Sequence, residues 1–195
     1  GFYTFVMSRN MLNNSTRKYA DNEDQSDDNL TTDYLSREIE NKLRIENYAV
    51  TPAGIKVNYG VNYEYAKFYV SDNGSIVTQQ GIVVRDFESE LGLNKWGLFA
   101  QLSKGFLEER LLLSSGFRMD ANDYSVEMNN MLDQFSPRIS LSYSFTPAVS
   151  FNFNTGIYYQ LPAYTVLGYR DSDTNELVNK SNGIKYISNR QLVGG

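Results

Sequence analysis

Apolar and polar residues alternate with a period of two along most of the chain. Between 55 and 65, Ile55, Val57, Tyr59, Val61, Tyr63 and Tyr65 share one parity, and Lys56, Asn58, Gly60, Asn62 and Glu64 take the other. Ile39, Leu43, Ile45 and Ala49 stand in the same relation to Glu38, Glu40, Lys42, Arg44 and Glu46. Trp96, Leu98, Ala100, Leu102 and Phe106 likewise oppose Lys95, Gly97, Gln101, Ser103 and Gly105. Segments 111–119, 137–145 and 149–159 repeat the pattern. Successive side chains of a strand point to opposite faces, so this period predicts strands with one apolar and one polar face. The first nine residues and the stretch from about 185 onward read as two further strands, for about eight in all. A helix competes only over 34–48, where helix formers are common and Glu38 and Lys42 stand four apart. Leu35, Ile39, Leu43 and Ile45 make a poor helical stripe, which favours a strand there.

The connections carry a second signal. "TPAG" at 51–54, "LEER" at 107–110 and "TPA" at 146–148 are tight, whereas polar stretches at about 10–35, 71–92, 121–136 and 161–184 read as long loops. Short and long alternate, so in an up-and-down chain every tight turn falls on one side. The predicted strands are about 10 residues or longer, the length a tilted strand needs to cross a bilayer. Their polar faces suit a watery lumen. Rings stand near both ends of the apolar faces, Phe145 and Phe151 beside a hinge and Tyr63, Tyr65 and Tyr159 far from one, as in the aromatic girdles of membrane barrels. We expect an all-β fold: an antiparallel transmembrane β-barrel segment of about eight long strands, with short periplasmic turns and long extracellular loops. Residues 1–195 then form part of one β-barrel domain. Ile55, Val57, Tyr59, Val61, Leu98, Leu141, Phe151 and Phe153 are expected to face lipid. Lys56, Asn58, Asn62, Glu64, Gln101, Ser142, Asn152 and Asn154 are expected to face the lumen.

Composition narrows the chemistry. Net charge is −5 with no strongly basic segment, so no nucleic-acid partner is expected. Cys and His are both absent, which removes thiolate chemistry and the commonest general base and metal ligand. No apolar run reaches the roughly 18 residues of a membrane-spanning helix, and "GFYTFVMSRN" lacks the features of a signal peptide. Two other readings stay open on these grounds: a soluble β-sandwich carbohydrate-binding or adhesin module, and a small passive outer-membrane barrel.

The stretch "SPRISLSYSFTPAVSFNFNTGIYYQLPAYTVLGYRD" through "LVNKSNGIKYISNRQLVGG" resembles the barrel of TonB-dependent outer-membrane receptors of the Bacteroidetes type. The resemblance covers about the last sixty residues well and the earlier strands by pattern. It implies a barrel of about 22 strands closed by an N-terminal plug, with a TonB-binding segment before the plug. It also implies residence in the outer membrane of a Gram-negative bacterium, among outer-membrane lipid. The implied activity is import of a nutrient, such as a metal chelate or a glycan, with TonB-derived energy. A surface lipoprotein is a further candidate partner. The plug and the TonB segment are not legible in this sequence, so the chain is expected to be an internal slice of the barrel.

No catalytic, cofactor or metal site is expected. Asp21, Asp24, Asp27 and Asp28 supply oxygens of the kind Ca²⁺ takes, but a solvated loop explains them better. "DSDTNELVNKSN" opens like a calcium loop with Asp171, Asp173 and Asn175, then places Glu176 where Gly is needed and Asn182 where Glu is needed. Glu38 and Glu40 read as part of a lumen charge ladder, and Glu108 and Glu109 as turn residues, rather than as acid–base pairs. For ligand contact the candidates are Arg118, Asp120, Tyr158 and Gln160, inward by parity near the outer rim, with Tyr164, Tyr169 and Arg170 in the loop above. Flat rings beside hydrogen-bonding groups suit sugars and planar chelators.

Overall fold

A computed structural model describes residues 1–195 apart from Gln25, Gln80 and Ser172. The strands are β1 (Phe2–Tyr19), β2 (Leu30–Val50), β3 (Lys56–Thr78), β4 (Gly81–Phe106), β5 (Leu111–Asn122), β6 (Ser136–Thr146), β7 (Val149–Gln160) and β8 (Ile187–Gly194). They form one eight-stranded sheet in sequence order, each strand antiparallel to the next. The all-β antiparallel expectation holds, and 34–48 is strand. β1 and β8 lie at opposite edges of the sheet, which has the layout of a barrel-wall segment and is open.

Both Thr-Pro-Ala hinges are turns, and the sequence explains them. Pro52 has no N–H to satisfy and its fixed φ suits a turn. The Thr51 hydroxyl accepts the Ile55 N–H (3.1 Å), and the Gly54 N–H bonds to the Thr51 carbonyl (2.9 Å). Gly54 sits at φ 74°, a left-handed position that favours glycine. At the second hinge the Thr146 hydroxyl accepts the Ala148 N–H (3.3 Å). The intervening turn at 107–110 is joined to it: Arg110 donates to the carbonyls of Ser144 (3.2 Å) and Phe145 (2.9 Å).

Register fixes the faces. Asn62 of β3 stands opposite Arg44 of β2 and Gly97 of β4, and Gly97 opposite Asp120 of β5. Residues in such a row project to the same side. The face bearing the even-numbered residues of β3, termed inner, carries Lys56, Asn58, Asn62, Glu64, Gln101, Ser142, Asn152 and Asn154. Val57, Tyr59, Val61, Leu98, Leu141, Phe151 and Phe153 fall on the outer face. Ile55 lies in the turn before β3.

The long connections need correction. Of 10–35, residues up to Tyr19 and from Leu30 belong to β1 and β2. Most of 71–92 is also strand, because β3 runs to Thr78 and β4 begins at Gly81. Polar residues there suggested a loop. Cross-strand bonds hold the polar part, where Arg85 pairs with Asp72 (3.3 Å) and donates to Thr32 (3.3 Å), while Ser89 and Leu91 nearby are buried. The other two connections contain α1 (Val126–Asn129), α2 (Tyr164–Leu167), α3 (Val178–Ser181) and a 3₁₀ turn at Met131–Gln134. The helices fold back onto the inner face, whereas Met131 of the 3₁₀ turn borders outer-face Leu43, Val61 and Trp96, and Phe135 after it packs on outer-face Phe117 with centroids 5.5 Å apart. Tyr124, Met128 and Leu167 join Ala66, Phe68 and Val70 of β3 and Leu91 and Leu93 of β4 in the buried core.

Candidate functional site

The inner face has two levels. At the upper one, the loop between β7 and β8 is fastened to β3 and β4. The Tyr164 ring stacks on Phe68 with centroids 6.1 Å apart. Its hydroxyl donates to Glu40 (2.7 Å) and accepts from Lys95 (2.6 Å). Burial, then the bond to Glu40, raises the Tyr164 phenol well above the ordinary tyrosine range, so it stays a neutral donor. Beneath it, Lys42 lies 2.7 Å from Glu40 and 3.6 Å from Glu64, while Lys95 pairs with Glu64 and lies 3.6 Å from Glu40. Of the expected charge ladder, Glu40 and Lys42 join Glu64, Lys95 and Tyr164 in one network across three strands and a loop, and Arg44 pairs separately with Glu46.

Arg170 fastens the far end of the same loop. It donates to the Ser89 hydroxyl (3.2 Å) and to the carbonyls of Asn175 (2.7 Å) and Glu90 (3.0 Å), while Ser89 donates to the Gly168 carbonyl (2.5 Å). Tyr169 stacks on Phe87 with centroids 6.1 Å apart. In the loop between β5 and β6 the Tyr124 hydroxyl donates to the Leu167 carbonyl (2.7 Å), and Asn122 at the end of β5 donates to the Tyr186 hydroxyl (2.8 Å). Burial raises the Tyr186 phenol to about 12.

The lower level is an open groove of about 360 Å³ on the inner faces of β2 to β7. Arg44, Phe99, Arg118, Arg138 and Tyr158 supply its charge and its rings. The Arg44 guanidinium lies 4.5 Å above the Phe99 ring and bonds to Glu46 (2.5 Å). Arg118 makes a two-point contact with Asp120 (2.6 and 2.7 Å) and reaches Asn62 (3.4 Å). Gly97 permits this, since a side chain there would collide with the Asp120 carboxylate and Asn62. Arg138 lies 4.4 Å above the Tyr158 ring. Among the described residues no carboxylate stands within ion-pair distance of it. Among the described residues, the buried side-chain oxygen of Asn58 has no hydrogen-bond partner. The groove thus offers a guanidinium, ring faces and an acceptor to whatever enters it, a set suited to hydroxyl-rich or anionic groups.

The seven residues singled out in the sequence divide between these levels. Arg118 and Tyr158 line the groove, Asp120 holds Arg118, and Gln160 ends β7 at the exposed rim. Tyr164, Tyr169 and Arg170 lie above and make the internal contacts just described. Arg44, Phe99 and Arg138 were missed. Parity alone puts Arg44 and Arg138 on the polar face, but their meeting depends on the register of five strands. The acidic residues 21–28 and 171–176 gather no group of three or more metal-ligating side chains among the described residues. Instead, Asp171 accepts the backbone N–H groups of Asp173 (3.0 Å) and Thr174 (2.9 Å), which lowers its pKa.

Long meandering strands with an apolar outer face, a polar inner face and tight turns at one end define the wall of an outer-membrane type of β-barrel. The chain matches the family described as TonB dependent receptor-like, beta-barrel over residues 2–192, and it belongs to that family. Neither the comparison with curated proteins nor that with solved structures gave a match. The family is one of outer-membrane transport receptors, not of enzymes.

Proposed function

We propose that this chain forms part of the wall of a receptor in the outer membrane of a Gram-negative bacterium. The receptor binds a nutrient such as a metal chelate or glycan and imports it with TonB-derived energy. A plug and the TonB complex serve it as in the rest of the family, with a surface lipoprotein as a further candidate partner. The family match over 2–192 carries this reading. The inner groove supports it, because Arg138 over Tyr158 and the Arg118–Asp120 pair form a polar, ring-bearing wall. Arg118, Asp120, Tyr158 and Gln160 are the proposed ligand contacts from the wall, with Tyr164, Tyr169 and Arg170 shaping the loop above. Uptake of labelled ferric chelates and oligosaccharides by cells carrying the intact receptor tests the proposal. We expect uptake of one class to require both TonB and an intact groove, and to fall at least about tenfold in Arg138→Ala. Uptake that persists without TonB would overturn the energised mechanism.

A further inference from the structure

Each face of the sheet carries paired and unpaired cations: Arg17 of the outer face bonds to Asp33 (3.3 Å), and Arg138 of the inner face lacks a carboxylate partner among the described residues. On the inner face Lys42, Arg44, Lys95 and Arg118 each have a carboxylate partner. On the outer face, Arg9 of β1, Arg37 of β2 and Lys67 of β3 are exposed. Among the described residues none of the three has a carboxylate within ion-pair distance.

Register makes them one patch. Arg9 stands in a row with Asn41 and Tyr65, Lys67 in the next row with Ile39 and Met11, and Arg37 in the row beyond with Asn13 and Tyr69. Strands lie about 4.8 Å apart and same-face residues about 7 Å apart along a strand, so the three long side chains can converge on one group. These three rows carry no carboxylate on β1 to β3; Glu90 of β4, in the row of Tyr69, is the nearest outer-face acid in register.

Height decides what the patch meets. About 9–11 residues of a tilted strand cross a bilayer, which takes β3 from Lys56 to about Ala66. Below that level the outer face is apolar, with Phe5, Ile45, Val61 and Leu98 in one row and Met7, Leu43, Tyr63 and Trp96 in the next. Tyr63, Tyr65 and Trp96 then mark the interface, where amphipathic rings collect. Arg9 shares the row of Tyr65, and Lys67 and Arg37 come one and two rows above it, at headgroup height and on the side that faces lipid. A soluble ligand entering from outside would use the other face.

We infer that Arg9, Arg37 and Lys67 form an exterior site for the phosphate groups of outer-leaflet lipid. The inference rests on the outer-membrane reading. Phosphate offers three strong acceptor oxygens, and guanidinium groups bind it in a two-point geometry. The bound lipid would seat the wall at a fixed depth through the upper interface.

The test uses the intact receptor in phosphatidylcholine nanodiscs, offered lipid A with its two phosphates or the dephosphorylated form. Retained lipid is counted by native mass spectrometry. The expected result is a preference of about tenfold or more for the phosphorylated lipid, since several cations near a surface act together. Arg9→Gln, Arg37→Gln and Lys67→Gln combined should abolish it. The charge-keeping set Arg9→Lys, Arg37→Lys and Lys67→Arg should retain most of it, and Lys104→Gln at the opposite end of the outer face should leave it intact. Equal retention of the two lipids, or a preference that survives the triple Gln variant, overturns the site alone. A protein that stays monodisperse in water without detergent and does not enter nanodiscs overturns the outer-membrane reading, and the site with it.

Discussion

The inner face of this sheet is polar and open in its lower half, and covered in its upper half, where an apolar core lies above a paired charge network. Around Arg44, Asn58, Arg118 and Arg138 the side chains border a groove. A few residues higher on the same face of β3 and β4, Phe68 and Leu93 are almost fully buried at 2% and 1% exposure, beneath Tyr124, Met128 and Leu167. Parity is identical at both levels, since Asn58, Asn62, Ala66, Phe68 and Val70 alternate along one strand. What differs is the partner. Among the described residues no loop meets the lower face, whereas two fold inward onto the upper one. The direction of a side chain is a local property, and its environment is not.

Several measurements would break or sharpen this contrast. The largest effect is expected for Phe68→Ala, which empties a packed site under the Tyr164 ring. We expect a loss of about 3–5 kcal/mol and faster hydrogen exchange in 161–186, whereas truncation of outer-face Phe151, 41% exposed, leaves that exchange unchanged. A smaller loss follows for the outer face at mid-membrane: Val61→Arg should cost about 2–4 kcal/mol in a lipid-refolding titration, and Gln101→Arg on the inner face far less. Equal costs for the two would show that the faces are misassigned.

Tyr164→Phe keeps the ring and removes the hydroxyl between Glu40 and Lys95. A hydrogen bond to a charged group contributes about 1.5–3 kcal/mol, so proteolysis in 161–186 should rise while the groove stays intact. The same phenols set an alkaline limit. Burial raises Tyr124, Tyr164 and Tyr186 above the ordinary value of 10, so the docked loops hold these protons more tightly than the unfolded chain does. Their contribution is complete below pH 10 and is lost as pH rises through the folded values, about 12 for Tyr186. Tyrosinate absorbance should therefore develop late and together with protease sensitivity of the loops. Early titration of all the phenols would show that the loops are undocked. The smallest effect belongs to Ser114→Ala, which removes a hydroxyl bond to Ser103 (2.8 Å) and should change stability by about 1 kcal/mol or less.

By itself the sequence determined the strands, their faces and their tight turns. Side-chain direction in a strand depends only on parity, and Thr-Pro-Ala carries its own turn chemistry in the proline ring and the threonine hydroxyl. Arg118, Asp120, Tyr158 and Gln160 could be placed on the polar face for the same reason. Sequence reading stopped where hydropathy ceased to report structure. In 71–92 polar residues form long strands held by cross-strand pairing, and Phe87, Ser89 and Leu91 lie under the loop between β7 and β8. The loops of 121–136 and 161–184 read as solvated connections, yet Met128, Leu167, Tyr164 and Arg170 anchor them inward. Only the tertiary structure decided that the upper inner face is closed by its own loops, and that Arg44, Phe99 and Arg138 share one groove with Arg118. It also set Arg9, Arg37 and Lys67 together on the outside. Each of these depends on the stagger of strands far apart in the chain, and an alternation of period two contains no record of that stagger.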